Sequence, residues 1–140
     1  VNVLPYLGTN LEMNTFYNSL DVDLSGFSGS EGWGLCSFNA TALGKWSIVT
    51  NVTAHKDWAT DKNAILVEPA GMREVYDNVF FIKGRKFSQG NIYAFTAEQL
   101  VAAMEVAEKL AKTPNTEGEK LRETHTWGKT VDTILAKIGD

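Results

Sequence analysis

Val22-Asp23-Leu24-Ser25-Gly26-Phe27-Ser28-Gly29-Ser30-Glu31-Gly32-Trp33-Gly34-Leu35-Cys36-Ser37-Phe38-Asn39-Ala40-Thr41-Ala42-Leu43-Gly44 is the stretch whose reading decides the fold. Val22 to Phe27 is an apolar run of strand character, and it enters a turn punctuated by Gly29, Gly32 and Gly34. Leu35 to Leu43 then reads as a helix closed by Gly44 at its C-cap. A strand that passes through a glycine turn into a helix aims the unpaired N–H groups of the first helical turn back at the turn, where they attract anions. Glu31 at the mouth of that site is out of place if the ligand is a bare phosphate. It is in place if the ligand also carries hydroxyls, and a sugar attached to a nucleotide diphosphate meets both demands.

Working outward, Trp46 to Thr50 reads as the next strand, so the centre of this region is strand, helix, strand. Upstream, Asn2 to Tyr6 is a short apolar strand ending at Leu7-Gly8, and Asn10 is placed to cap a helix carrying Leu11, Phe16 and Leu20. Two successive strand-helix units with crossovers of this length imply a parallel sheet. Ala64 to Glu68 reads as a fourth strand. After Pro69 the pattern dissolves: Val79 to Lys83 and Ile92 to Phe95 read either as a hairpin around the Gly84 to Gly90 loop or as part of a mobile flap. Thr96 caps a helix with Leu100, Val101, Met104, Ala107, Leu110 and Ala111 on one face, and Pro114 ends it. Glu117 to Thr124 forms a further helix. The last one, capped by Thr126, shows Trp127, Val131, Ile134, Leu135 and Ile138 as a stripe expected to pack on the sheet. The expected fold is α/β, a Rossmann-like parallel sheet flanked by helices, in a single domain over residues 1–140.

Composition narrows the function classes. At 140 residues the chain fills one domain, and 44% hydrophobic content with four Trp, four Tyr and seven Phe is globular. The formal net charge is −4 and no long Lys/Arg run occurs, which argues against nucleic acid and anionic membrane surfaces as partners. No apolar run reaches the roughly 18 residues of a membrane span. One cysteine, Cys36, forms no internal disulfide, and His55 and His125 are too far apart in sequence to suggest zinc. A reducing, cytoplasmic setting follows, with the Asn-x-Thr matches at Asn39 and Asn51 read as chance. Asp21-Val22-Asp23 spells a metal-binding Asp-x-Asp, but its place at the start of a strand suits a sheet better than a metal site.

In order, Tyr6-Leu7-Gly8, Asp21, Ser28 to Leu35, Asn39, Gly44, Ser47-Ile48-Val49 and Thr53-Ala54-His55-Lys56-Asp57 form a series. The series resembles the C-terminal, donor-binding lobe of retaining GT-B glycosyltransferases, from about Leu4 to about Ala70 and again in the final helix. The resemblance implies a metal-independent transferase without a cofactor, whose partner is a nucleotide diphosphate sugar such as a UDP or GDP sugar. It implies Glu31 as the catalytic carboxylate that contacts donor-sugar hydroxyls. It implies the backbone of Gly32, Trp33, Gly34, Leu35 and Cys36 as the diphosphate site and position 39 as the ribose contact. Asn39 stands where the family has a second Glu, which removes the charge-assisted part of that hydrogen bond, worth roughly 1 kcal/mol.

The family's Gly-Arg strand and Lys-Gly helix, which precede this region and neutralise the diphosphate, have no counterpart in these residues. Arg73, Lys83, Arg85 and Lys86 are either a substitute for that charge or a solvated group. The resemblance thus covers about two thirds of a donor lobe, and the acceptor lobe is expected in cis or in a second chain. Two other readings stand beside it: a non-catalytic interaction module that has kept the fold, and the donor-binding subunit of a split glycosyltransferase. His55 lies in the loop after Thr50, at the carboxyl end of a parallel sheet where ligands gather, and is placed either to touch the donor or simply at the surface. Cys36 reads as a small buried residue with no catalytic role. A sheet this short leaves a free strand edge, so self-pairing into a homo-oligomer is also expected.

Overall fold

The structure, a computed structural model, describes residues 3–87 and 89–138. Its centre is a three-stranded parallel sheet of order β1-β2-β3, formed by Val22–Gly26, Trp46–Thr50 and Ile65–Val67. Helix α1 (Asn10–Ser19) precedes β1, and α2 (Leu35–Ala42) makes the crossover to β2. A 3-10 turn, Thr53–Asp57, leads toward β3. An antiparallel hairpin follows, β4 (Gly71–Glu74) with β5 (Asn91–Ala94). Helices α3 (Ala97–Leu110), α4 (Thr116–Glu119), α5 (Leu121–Thr124) and α6 (Trp127–Ile138) complete the chain. This is a mixed α/β architecture compatible with a Rossmann-like fold.

The alternation of β2 explains the layers. Every residue from Ser47 to Thr50 is buried, and successive side chains face opposite sides of the sheet. Val49 belongs to a cluster with Ala42, Trp58, Ala59, Ala64 and Leu121, on the side of α2 and α5. Ile48 belongs to the other cluster, with Ile65, Val67, Ala103 and Ala107, under α3. A polar ladder fixes α2 on its face: Thr41 Oγ1 donates to Ser47 Oγ at 2.9 Å, and Ser47 Oγ donates to the Ser37 carbonyl at 3.2 Å. All three residues are fully buried, so this ladder sets the height of α2 over the sheet as well as its distance.

Several expectations are corrected. Residues 3–8 form no strand, so the first strand-helix unit has only its helix; Asn2 lies outside the described residues. Thr9, not Asn10, caps α1, because Glu12 completes a capping box with it. The hairpin pairs 71–74 with 91–94, and Val79 to Lys83 lie in its loop. The Asp77 carboxylate accepts the backbone N–H groups of Val79, Phe80 and Phe81 at 2.8 to 2.9 Å, which curls the loop away from a ladder. Thr96 caps α3 as expected, with Gln99 closing the box. The buried face of α3 is nevertheless Ala103 and Ala107, flanked by Leu100 and Leu110, while Val101 and Met104 are exposed. Two alanines let the helix approach β2 and β3 closely, so the small side chains go inward and the bulkier ones stay out.

The largest departure is α6. Its stripe does not pack on the sheet: Trp127 is 87% exposed and no residue of the helix is buried. The amphipathic pattern is present, but the sheet's α2 face is already covered by α2, α4 and α5, leaving α6 no apolar floor.

Candidate functional site

The turn from Ser28 to Gly34 crosses the carboxyl ends of the strands and is anchored from three sides. Gly29 is pinned by the hairpin, because Tyr93 N–H donates to its carbonyl at 3.2 Å and a β-carbon on it would meet the Tyr93 carbonyl oxygen at 2.3 Å. Thr50 Oγ1 donates to the Ser28 carbonyl at 2.6 Å. Trp58 Nε1 donates to the Trp33 carbonyl at 3.0 Å. Glu31 is held by its own N–H, which donates to Thr53 Oγ1 at 3.2 Å. Thr53 sits at φ 52, a conformation that costs a β-branched residue about 1–3 kcal/mol and therefore marks a position held by its surroundings.

Gly34 is the N-cap of α2, left-handed at φ 76 and ψ 51, and has no side chain to cap the helix. The first helical hydrogen bond runs from Phe38 N–H to the Gly34 carbonyl at 2.8 Å. Among the described residues, the N–H groups of Gly34, Leu35, Cys36 and Ser37 meet no protein acceptor. They border a cleft of about 300 Å³ lined by Ser25, Glu31, Trp33, Gly34, Leu35, Cys36 and Ser37. The fold thus brings together five of the residues the sequence suggested: Glu31, Trp33, Gly34, Leu35 and Cys36. Cys36 is exposed in this cleft rather than buried, because the helix face that carries it turns outward from the sheet.

Three suggested residues sit elsewhere. Gly32 is outside the cleft lining, and its N–H donates to the Glu31 carboxylate at 3.1 Å, so the carboxylate takes one of the amides assigned to phosphate. Asn39 lines a neighbouring cleft of about 420 Å³ together with Tyr17, Phe38 and His125. It follows Cys36 at i,i+3 on one face of α2, and both reach the Tyr17 phenol. Burial first, and then the Cys36 thiol beside it, push that phenol above its ordinary value.

His55 is neither at the surface nor in the cleft: it is fully buried behind Gly34 and packs edge-on against Trp58. Its Nδ1 lies 3.0 Å from the Thr50 carbonyl oxygen, which can only accept, so Nδ1 carries the proton. Nε2 is buried and has no hydrogen-bond partner among the described residues. The sequence held no signal for this, because a lone histidine in a loop gives no hint of burial.

In the Asp21-Val22-Asp23 stretch, Asp21 is exposed just before β1. Asp23 is buried in β1, where its carboxylate accepts from Ser25 Oγ at 2.8 and 2.9 Å. Among the described residues no group of three or more His, Cys, Asp or Glu side chains could hold a metal ion, and no helix is long and apolar enough to cross a membrane. Comparison with protein-family models finds no match to this chain, and comparison with curated proteins finds none either.

Proposed function

We propose that the chain is the donor-binding lobe of a retaining glycosyltransferase and holds a nucleotide diphosphate sugar for hexosyl transfer. The observation that carries this reading is the uncapped start of α2: four amides without protein acceptors border a cleft that also holds the Glu31 carboxylate. In this reading the amides and the helix dipole stabilise the departing diphosphate, and Glu31 orients the sugar so that its anomeric carbon faces the acceptor. The Glu31 contact to Gly32 N–H then exchanges partners: the carboxylate turns to sugar hydroxyls and the amide turns to phosphate. Asn39 follows Cys36 by one helical turn and lines the neighbouring cleft, and in this reading it takes the ribose. The acceptor is held by a second lobe, in the same chain or another, so these 140 residues are expected to bind donor without turnover.

A second reading, the interaction module, is favoured by the bare apolar face of α6. Titration with UDP, GDP and UDP-glucose separates the two. A ligand at a hundred times its dissociation constant should add about 2.7 kcal/mol to unfolding stability, and the amide resonances of Gly34 to Ser37 should move. Millimolar nucleotide that alters neither the melting temperature nor those resonances would end the glycosyltransferase assignment.

A further inference from the structure

Val79-Phe80-Phe81-Ile82, in the loop that joins β4 to β5, stands outside both core clusters, and all four side chains are exposed, Val79 at 72% and Phe80 at 83%. Phe87, on the returning limb of the same loop, is exposed as well. A contiguous apolar patch of this kind marks a contact surface.

The backbone beneath the patch is closed on itself. The Asp77 carboxylate takes the N–H groups of Val79, Phe80 and Phe81, and the Phe81 carbonyl takes those of Asp77 and Asn78 at 2.9 and 3.0 Å. The Gln89 side-chain amide accepts the Ile82 N–H at 3.0 Å and donates to the Ile82 carbonyl at 2.8 Å. Every backbone N–H from 77 to 82 thus has a partner inside the loop, without a strand ladder. Water would serve exposed amides equally well, whereas a tip that enters a water-poor layer has to bring its own partners.

Charge selects the layer. The chain holds 13 basic and 17 acidic side chains, which as a whole disfavours an anionic surface, but residues 79–87 hold three of the bases, Lys83, Arg85 and Lys86, and none of the acids. Arg73, on β4, joins them: its guanidinium and the Lys83 ammonium lie 6.0 and 5.1 Å from the centre of the Tyr76 ring. Among the described residues none of these four cations makes an ion pair. The nearby acids are Glu74, on β4, and Asp77, whose carboxylate is occupied by the loop's own amides.

We infer that the β4–β5 loop is a peripheral membrane anchor that docks on an anionic lipid bilayer. Val79, Phe80 and Ile82 enter the acyl boundary, and Lys83, Arg85 and Lys86 meet lipid phosphates. A bilayer offers hydrocarbon and negative charge side by side, the complement of what the loop presents. A single strand of nucleic acid also takes cations and rings, but Val79 and Ile82 have no ring on which a base could stack. The inference is independent of the donor-binding reading, since the loop contributes nothing to the α2 cleft.

The test is flotation of the 140-residue chain with vesicles of equal parts phosphatidylcholine and phosphatidylserine, and with vesicles of phosphatidylcholine alone. Each cation close to an anionic surface multiplies partition by about fivefold, so the mixed vesicles should bind about a hundredfold better, and about 1 M salt should abolish the difference. Lys83→Gln/Arg85→Gln/Lys86→Gln should also lose that difference. Val79→Ser/Phe80→Ser should bind the mixed vesicles at least tenfold more weakly, with the melting temperature unchanged because both side chains are exposed. A nitroxide on the lipid acyl chain reads the docking without any substitution: in bicelles the amide signals of residues 79–82 should broaden ahead of all others. No binding to the mixed vesicles, equal binding to both kinds, or another segment that broadens first would overturn the inference. So would oligouridine that shifts residues 79–87 while vesicles do not, since the partner would then be a nucleic acid. Dimers that form with rising protein concentration and vanish in Val79→Ser/Phe80→Ser, without vesicle binding, would overturn it in favour of a second copy of the chain.

Discussion

A β-carbon added to Gly34 would stand 2.5 Å from Nε2 of His55 and 2.8 Å from its Cδ2. The imidazole therefore occupies the space behind the N-cap of α2, and the turn that opens the cleft and the buried histidine form one packed unit. This pairing ties the loop after β2 to the loop after β1 at the carboxyl end of the sheet, beside the Trp58 to Trp33 hydrogen bond that joins the same two loops.

Gly34→Ala should consequently be among the most damaging single substitutions. It adds left-handed strain at φ 76 to the steric overlap, and a loss of about 2–4 kcal/mol is expected in urea unfolding. Adding His55→Ala should return the steric part but not the backbone part, giving a coupling above roughly 0.5 kcal/mol in a double-mutant cycle. A neutral Gly34→Ala would show that the turn relaxes freely.

Glu31→Ala separates a sugar contact from a role in the turn. If the carboxylate reads donor hydroxyls, calorimetry should show UDP-glucose weakened by about tenfold, some 1.4 kcal/mol, and UDP weakened much less. Equal losses for both ligands would mean that Glu31 acts only through its bond to Gly32 N–H.

Asn115 is 1% exposed and joins three segments. Its Nδ2 donates to the carbonyls of Lys45 at 2.9 Å and Asn63 at 2.8 Å, and its Oδ1 accepts Gly118 N–H at 2.9 Å. Asn115→Ala leaves two carbonyls and one amide without partners in a dry site, so a loss of about 3 kcal/mol in guanidinium unfolding is expected. A loss below about 1 kcal/mol would mean that water reaches this junction.

Alkaline pH should weaken the fold through Tyr17. Burial raises its phenol above the ordinary value of 10.0, so the neutral form is the one the folded state favours. The associated stability is fully present below pH 10.0 and falls as pH rises through the higher folded value. Tyr17→Phe should flatten that decline in a series of thermal melts, and an unchanged slope would assign it to other groups.

The loop of the β4–β5 hairpin should respond to acid. The N–H groups of Phe81, Val79 and Phe80 hold the Asp77 carboxyl below its ordinary value of 3.8. A lowered folded value means that the ordered turn persists above the ordinary range and is lost as pH falls through the folded one. Asp77→Ala should reproduce the acid form at neutral pH, seen as amide shifts confined to residues 77–82.

Local signals located most of the scaffold and half of the site. The glycine turn between an apolar run and Leu35 announced β1, α2 and the uncapped amides, because strand period, positive φ and helix start are properties of neighbouring residues. The Thr96 cap announced α3 for the same reason. What the chain alone left open depends on contacts between distant residues. His55 is buried only because Gly34, Thr50 and Trp58 close around it, and β4 finds β5 only across the Asp77 turn. The stripe of α6 is as amphipathic as any in the protein, yet the face it would cover is filled by α2, α4 and α5. By itself the sequence determined β1, α2, β2 and α3 and which amides stay uncapped, since those follow from backbone preference within a few positions. Only the tertiary structure decided which apolar faces are spent in the core and which stay exposed, since burial is a competition for one limited interior that no short stretch can settle alone.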